Sequence, residues 1–82
     1  MTAPDDIARA VVATIAETFG VDPAAIGRDT VPADVDGWDS LAHTMLMIRL
    51  EKRLGRVIGE RIATMAGSVG VLIDLLAADG TA

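Results

Sequence analysis

A regular hydrophobic pattern near the start of the chain predicts a helix. Its apolar positions are spaced four residues apart: Ile7, Val11, Ile15 and Phe19. Asp6, Arg9 and Glu17 fall on the opposite side, as in an amphipathic helix that packs on a core. Thr2 can cap the start of this helix, and Gly20 can end it.

The helical pattern dissolves between Val21 and Gly37, where prolines, glycines and scattered aspartates predict a long loop. Asp22 followed by Pro23 can begin one short helical turn within this loop. Branched apolar residues interrupt the loop at irregular spacing, as anchors to a core would: Val21, Ile26, Val31 and Val35.

A second helix is predicted from Ser40 to Leu54, with Gly55 as its end. One apolar stripe of this helix comprises His43, Leu46, Met47, Leu50 and Leu54. A second stripe, displaced around the helix axis, comprises Leu41, Thr44, Met45 and Ile48. Because so small a domain cannot bury both stripes, the second is a candidate contact surface. The alternative is that its side chains are simply exposed apolar residues, which are common on protein surfaces.

The rest of the chain predicts a short helix and a final longer one. Glycines bound the segment from Glu60 to Met65, which has room for one or two helical turns. Ser68 can cap the last helix, whose inward positions are Val69, Leu72, Ile73 and Leu76. We therefore expect one all-α domain spanning residues 1–82, a four-helix bundle with three longer helices, one short helix and a long loop between helices 1 and 2.

Composition supports a small helical domain and argues against several kinds of function. The 82 residues include no cysteine and one histidine, so neither disulfides nor a metal centre built from this chain alone is expected. Aromatic residues make up 2% of the chain and the net charge is −5, so binding to nucleic acid is not expected. The apolar runs are too short to span a membrane, and the acidic N-terminal sequence lacks the basic region of a signal peptide. We expect a cytoplasmic monomer that does not associate with membranes.

Residues 37–46, with the sequence GWDSLAHTML, bring candidate chemistry together at the start of the second helix. Asp39, Ser40 and His43 are the residue types of a serine hydrolase. However, residue 42 is alanine, so the strained G-x-S-x-G turn that exposes a nucleophile is absent. Small helices also leave little room for a substrate pocket. We therefore expect no catalytic residue, with His43 on the core side of the helix and able to hydrogen-bond Asp39.

Two other interpretations of Ser40 stay open on the residues alone. Aspartate and serine are favoured helix caps, each contributing ~1 kcal/mol, so this pair needs no further function. Alternatively, Ser40 is a modification site, because a hydroxyl at a loop–helix junction is accessible to a transferase. The N-terminus of the helix would stabilise a phosphodiester there through its free N–H groups and its positive dipole.

The order of these elements, with GWDSL at the start of the second helix, resembles the acyl carrier protein family. The resemblance covers nearly the whole chain, from the first helix through DTVPADVDGWDSLAHTMLMIRLEKRLG to SVGVLIDLL. The WDSL motif followed by AH is similar to the free-standing carriers of secondary metabolism more than to those of primary fatty-acid synthesis.

The resemblance implies that Ser40 carries a covalent 4'-phosphopantetheine arm derived from coenzyme A. It also implies that Asp39 is recognised by the phosphopantetheinyl transferase. Members of the family hold acyl intermediates as thioesters on the thiol of this arm, which fits a chain without cysteine. The implied partners are that transferase, an acyl- or aminoacyl-loading ligase or transferase, and downstream synthase enzymes. The carrier itself catalyses nothing.

The second helix departs from the family pattern, in which carboxylates line the face that docks on partner enzymes. Glu51 is its only acid, whereas Arg49 and Lys52 flank the second apolar stripe. The expected docking face therefore combines apolar side chains with two cations: Leu41, Thr44, Met45, Ile48, Arg49 and Lys52. For Arg49, Lys52 and Arg53, a solvated edge near the C-terminal end of the helix is an equal alternative.

Other functions are compatible with the same residues. An aminoacyl or peptidyl carrier of a nonribosomal-peptide-type pathway would share the fold and the arm. An unmodified helical adaptor would dock through the second helix and use Ser40 only as a cap. Trp38 also has two interpretations, as a loop anchor packed on the core or as a wall beside the arm.

Overall fold

The computed structural model describes residues 4–79, which form four α-helices: α1 (Pro4–Phe19), α2 (Ser40–Leu54), α3 (Glu60–Met65) and α4 (Val69–Asp79). No strand occurs among these described residues. The expectation of an all-α bundle with three longer helices, one short helix and a long connection between the first two is confirmed. The expected cap Thr2 lies outside the described residues.

α1 forms as the hydrophobic pattern predicts. Ile7, Val11 and Ile15 are buried on one face, and Phe19 is half-buried at the end of the helix. Asp5 and Asp6 lie in the first turn, where their charge complements the positive end of the helix. The helix ends at a glycine in the left-handed conformation, where φ is 66° at position 20.

α2 begins and ends at the residues that its sequence signals predict. The Asp39 carboxylate accepts a hydrogen bond from the Ala42 amide at 2.8 Å and so caps the helix. Gly55 adopts the left-handed conformation and donates its amide to the Glu51 carbonyl. Buried side chains follow the first predicted stripe: Leu46, Met47 and Leu50.

The core lies where α1 packs against both α2 and α4, while α3 covers one side through contacts with α4 and α2. Its largest fully buried side chains come from the three longer helices: Val11, Ile15, Leu46, Leu50, Val69, Leu72 and Leu76. All of the predicted inward positions of α4 are buried. The amphipathic patterns therefore identify the core correctly.

The connection between α1 and α2 contains two 3₁₀ turns, Pro23–Ala25 and Pro32–Asp34. The first was predicted, and the Asp22 carboxylate caps it by accepting from the Ala24 amide at 2.9 Å. The second was not predicted, and there the Asp34 carboxylate accepts from the Val31 amide at 3.1 Å. The expected loop anchors are confirmed, since all are buried or half-buried: Val21, Ile26, Val31 and Val35.

The same connection docks on the N-terminus of α4. Backbone carbonyls of Thr30 and Arg28 accept hydrogen bonds from the amides of Val69 and Gly70 at 2.9 and 2.8 Å. The Ser68 hydroxyl accepts from the Val71 amide at 3.2 Å, as a cap should. These contacts satisfy amides of the first turn that have no partner within the helix.

Arg28 strengthens this docking with a side-chain contact. Its guanidinium forms an ion pair with Asp74 at 2.6 Å, on the second turn of α4. The hydrogen bond to Asp74, followed by its negative charge, raises the pKa of Arg28. Arg28 lies so close to α4 that a Cβ at position 70 would approach its carbonyl oxygen to 3.0 Å, which explains why the helix has Gly70 there.

Candidate functional site

Ser40 is the first residue of α2 and is exposed. Among the described residues, none forms a hydrogen bond with its hydroxyl; its backbone carbonyl accepts from the Thr44 hydroxyl at 3.2 Å. Asp39, not Ser40, caps the helix with its side chain. The helix is therefore capped without the Ser40 hydroxyl, which remains accessible at the loop–helix junction.

Trp38 anchors the loop immediately before Ser40. Its ring is half-buried and stacks on Phe19 at the end of α1, with ring centroids 5.3 Å apart. It also lies nearly parallel to the His43 ring, at a centroid distance of 6.1 Å. The anchor interpretation of Trp38 is thus confirmed, and the ring also lines a cleft beside Ser40.

His43 is engaged through both ring nitrogens. Its Nδ1 accepts a hydrogen bond from the Trp38 indole N–H at 3.0 Å. Its Nε2 lies 2.9 Å from the carbonyl oxygen of Ala63 in α3. The half-buried position on the inner side of α2 agrees with the sequence prediction.

The prediction that His43 can hydrogen-bond Asp39 is wrong. The Asp39 carboxylate accepts the Ala42 amide in the first turn of α2, and the Trp38 indole N–H donates to Nδ1 of the imidazole. Because neither imidazole nitrogen is left to accept a proton from Ser40, this arrangement does not activate the serine as a hydrolase triad would.

A cleft of about 450 Å³ opens beside Ser40, between the start of α2, the loop and α3. This volume falls within the range of small-molecule sites, roughly 300–1,000 Å³. The residues that line it are Pro32, Trp38, Asp39, Ser40, His43, Ala63, Thr64 and Ala66. Since the indole and the imidazole bind each other and Ala63, the polar groups left for a ligand come from Asp39, Ser40 and Thr64.

Sequence reasoning missed part of this cleft, namely Pro32, Ala63, Thr64 and Ala66. Ala63, Thr64 and Ala66 are small residues in or next to a short helix, which has no distinctive pattern, and they reach the site because α3 folds back against α2. Pro32 reaches it through the second 3₁₀ turn of the connection. The sequence had identified Asp39, Ser40, Trp38 and His43 because they are adjacent to one another in the chain.

The second apolar stripe of α2 is exposed, as predicted. Leu41 is 71% exposed, Met45 48% and Ile48 47%, and Thr44 is exposed between them. We call these four residues the exposed α2 face. The face begins next to Ser40 and continues for two turns along the helix, so that a protein bound to it would also be close to the serine.

Arg49 and Lys52 flank this face and line a groove between α2 and α1. Both are exposed and form no hydrogen bond or ion pair with a described residue. Arg53 differs, because it contacts Glu17 at 2.6 Å and the Thr14 hydroxyl at 3.0 Å on α1. The two predicted docking cations are thus available to a partner, whereas Arg53 joins the helices of the bundle.

Residues 4–79 contain no group of three or more His, Cys, Asp or Glu side chains that could hold a metal ion. None of their helices has both the length and the apolar character needed to cross a bilayer.

No protein-family model matches the chain, and no curated protein matches it significantly in sequence.

Proposed function

We propose that this protein is an acyl carrier of the free-standing, secondary-metabolism type. It holds acyl intermediates as thioesters on a 4'-phosphopantetheine arm attached to Ser40 and presents them to biosynthetic enzymes. The observation that carries this proposal is that two adjacent polar residues have different roles. Asp39 caps α2, and the Ser40 hydroxyl beside it is exposed and unpaired among the described residues.

The residues around Ser40 fit such an arm. A phosphodiester on the serine oxygen would lie at the N-terminus of a 15-residue helix, where the dipole and the first-turn amides favour negative charge. The adjoining cleft of about 450 Å³ can receive part of the arm or its cargo. When bound, the arm supplies the thiol that a chain without cysteine lacks.

The exposed α2 face supports docking of partner enzymes close to the arm. Its apolar side chains offer surface that the chain does not bury, and Arg49 and Lys52 offer charge at its edge. The partners that we propose are a phosphopantetheinyl transferase, a ligase or transferase that loads the cargo, and the synthase enzymes that act on it. The carrier catalyses none of these steps.

Intact-mass measurement tests the proposal. The chain is co-expressed with a phosphopantetheinyl transferase of broad specificity, as wild type, Ser40→Ala and Ser68→Ala. Ser68 is the matched control because it also precedes a helix, but its hydroxyl accepts a hydrogen bond from the Val71 amide. We expect the phosphopantetheine mass increment in wild type and Ser68→Ala and none in Ser40→Ala, with the helical circular dichroism of Ser40→Ala preserved.

Two outcomes would contradict this assignment. An increment that persists in Ser40→Ala would move the attachment site elsewhere in the chain. Wild-type protein that several transferases leave unmodified would favour the unmodified adaptor, which uses the exposed α2 face without an arm.

An aminoacyl or peptidyl carrier is the second candidate, and the charge of α2 favours it. The single carboxylate of this helix, Glu51, is half-buried and accepts the Ile58 amide at 2.8 Å, so it is not free to pair with a basic enzyme surface. Loading assays with ligases that activate carboxylic acids or amino acids distinguish the two carriers by the thioester that forms on the arm.

A further inference from the structure

His43 connects three segments of the chain at the cleft beside Ser40. It belongs to α2, it accepts a hydrogen bond from Trp38 in the preceding loop, and it contacts the Ala63 carbonyl in α3. Within residues 4–79, every other side-chain hydrogen bond of α2 leads elsewhere, to α1, to its own first turn or to the segment after Gly55. His43 therefore supplies the side-chain hydrogen bond that joins α2 to α3.

Only one form of the imidazole satisfies both contacts. The indole N–H can only donate, so Nδ1 of His43 must carry a lone pair. The Ala63 carbonyl can only accept, so Nε2 must carry the proton. We propose that His43, as this neutral Nε2–H tautomer, is a positioning residue that fixes Trp38 and α3 relative to Ser40 and so sets the shape of the cleft.

α3 needs such a contact because it has few others. It has six residues, its N-cap Gly59 provides no side-chain hydrogen bond, and Ile62 is its one buried residue. Ala63, Thr64 and Ala66 form the α3 side of the cleft. A shift of this short helix would widen or close the cleft. If the proposed function holds, His43 thereby controls the space next to the root of the arm.

Protonation of His43 should release one of its two contacts and keep the other. A proton on Nδ1 would face the indole N–H, which cannot accept, so the Trp38 contact would be lost. The Nε2–H donor to Ala63 would be unaffected. Acidification should therefore separate the two contacts of the imidazole.

Few charged side chains lie near His43. Asp39 is the other titratable side chain that lines the cleft, and it precedes His43 by one turn of α2. The α3 residues at the cleft are uncharged, and Glu60 and Arg61 of α3 are exposed. On the loop side, Trp38 is backed by the uncharged Phe19 of α1.

NMR on the unmodified protein tests the proposal. In wild type at neutral pH, the nitrogen chemical shifts of the imidazole should show that Nδ1 is unprotonated and that Nε2 carries the proton. Two variants separate hydrogen bonding from packing. His43→Gln retains an acceptor and a donor in similar positions, whereas His43→Phe retains a ring of similar size without either. Hydrogen exchange at the Ala63 and Ala66 amides reports on α3, and exchange at the Leu72 amide reports on α4.

We expect exchange in α3 to be about fivefold faster in His43→Phe, as the loss of one net hydrogen bond predicts, and near the wild-type rate in His43→Gln. Exchange in α4 should not change in either variant. On acidification, the Trp38 indole resonance should shift in wild type and stay in place in His43→Gln, which has the same Asp39. After correction for intrinsic rates, α3 exchange in wild type should remain constant.

The opposite tautomer in wild type, with the proton on Nδ1, would overturn the proposal without any variant. Unchanged α3 exchange in His43→Phe would also overturn it, as would an indole resonance that shifts equally in His43→Gln. None of these measurements involves the arm. Failure of Ser40 modification would therefore leave the result for His43 standing, and the reverse is also true.

Discussion

At the scale of single residues, Asp39 and Ser40 show how two adjacent polar side chains acquire different tasks. Both are good helix caps, but a helix needs one cap at this end, and the Asp39 carboxylate accepts the Ala42 amide. Ser40 then becomes the first helical residue, and its hydroxyl is exposed. The proposed function would give Asp39 a second task, as a group that the modifying transferase recognises.

Two substitutions at Asp39 separate these tasks. Asparagine caps a helix as well as aspartate does, whereas alanine does not. We expect Asp39→Ala to lower the free energy of unfolding by ~1 kcal/mol, or Tm by about 4–8 °C, while Asp39→Asn stays near wild type. If the transferase recognises the carboxylate, both variants should lose roughly tenfold or more in kcat/KM for modification, as expected for loss of a hydrogen bond to a charged group.

The comparison requires thermal melts and modification kinetics on the same preparations. Ser68→Ala serves as the control, since it removes the hydroxyl that caps α4 without touching the site. An Asp39→Asn variant that is modified at the wild-type rate would show that Asp39 acts as a cap only. It would leave the assignment of Ser40 intact.

His43 marks the limit of prediction at this scale. Because His43 belongs to the first apolar stripe of α2, the sequence predicts correctly that it lies on the inner side of the helix. Its contact with Ala63 could not be predicted, because it depends on the path of the chain after α2. The partner atom is also a backbone carbonyl, which every residue has, so the residue type at position 63 does not indicate it. The nearby acid Asp39 was the plausible partner by spacing, and the helix amides compete for it more effectively.

At the scale of elements, the least obvious contact joins the long connection to α4. Carbonyls of the connection accept the first-turn amides of α4, and Arg28 lies against the helix at Gly70. Glycine inside a helix is unfavourable by roughly 1 kcal/mol relative to alanine. The structure explains its presence here, because only a residue without Cβ allows the connection to approach so closely.

Gly70→Ala should therefore destabilise the protein although alanine favours helices. A Cβ at this position would lie 3.0 Å from both the Cβ and the carbonyl oxygen of Arg28, and that oxygen already accepts the Gly70 amide at 2.8 Å. The connection would have to move and lose this hydrogen bond. We expect a net loss of about 1–2 kcal/mol in the free energy of unfolding, measured by urea denaturation.

Gly67→Ala is the matched control, because a Cβ there would meet nothing within 4 Å and the residue does not have a positive φ. It should be neutral or slightly stabilising, by up to about 1 kcal/mol. If Gly70→Ala were as stable as this control, the connection would be free to move away from α4.

The elements themselves were largely predictable, and the contacts between their backbones were not. Asp39, Gly55 and the apolar spacing between them fixed the bounds of α2, since caps and periodicity are properties of the side chains. The turn at Pro32 was missed because its signal, an aspartate two residues after a proline, is short and common. The docking of Arg28 and Thr30 on α4 involves carbonyl groups that every residue has.

At the scale of the whole molecule, charge and apolar surface are distributed unequally. Acidic residues outnumber basic ones by 12 to 7, yet two exposed cations, Arg49 and Lys52, flank the exposed α2 face. The radius of gyration, 11.5 Å, is close to the ~12 Å expected for a compact chain of this length. A fold of this size has a single core, and the outer side of α2 remains uncovered by the rest of the described chain.

The exposed α2 face should therefore bind partners mainly through burial of apolar area. At about 25 cal/mol per Å², burying one Met or Ile side chain contributes roughly 1.5–3 kcal/mol, whereas an exposed charge pair typically contributes less than about 1 kcal/mol. We expect Met45→Glu or Ile48→Glu to lower kcat/KM with a cognate transferase or ligase much more than Lys52→Glu does. All three variants should unfold near the wild-type temperature, because these side chains are exposed in the free protein.

Salt separates the two kinds of contact, since it screens charge pairs and leaves apolar burial in place. The losses in Met45→Glu and Ile48→Glu should thus persist at high salt. If Lys52→Glu were instead the most damaging substitution and its effect vanished at high salt, the interface would be electrostatic.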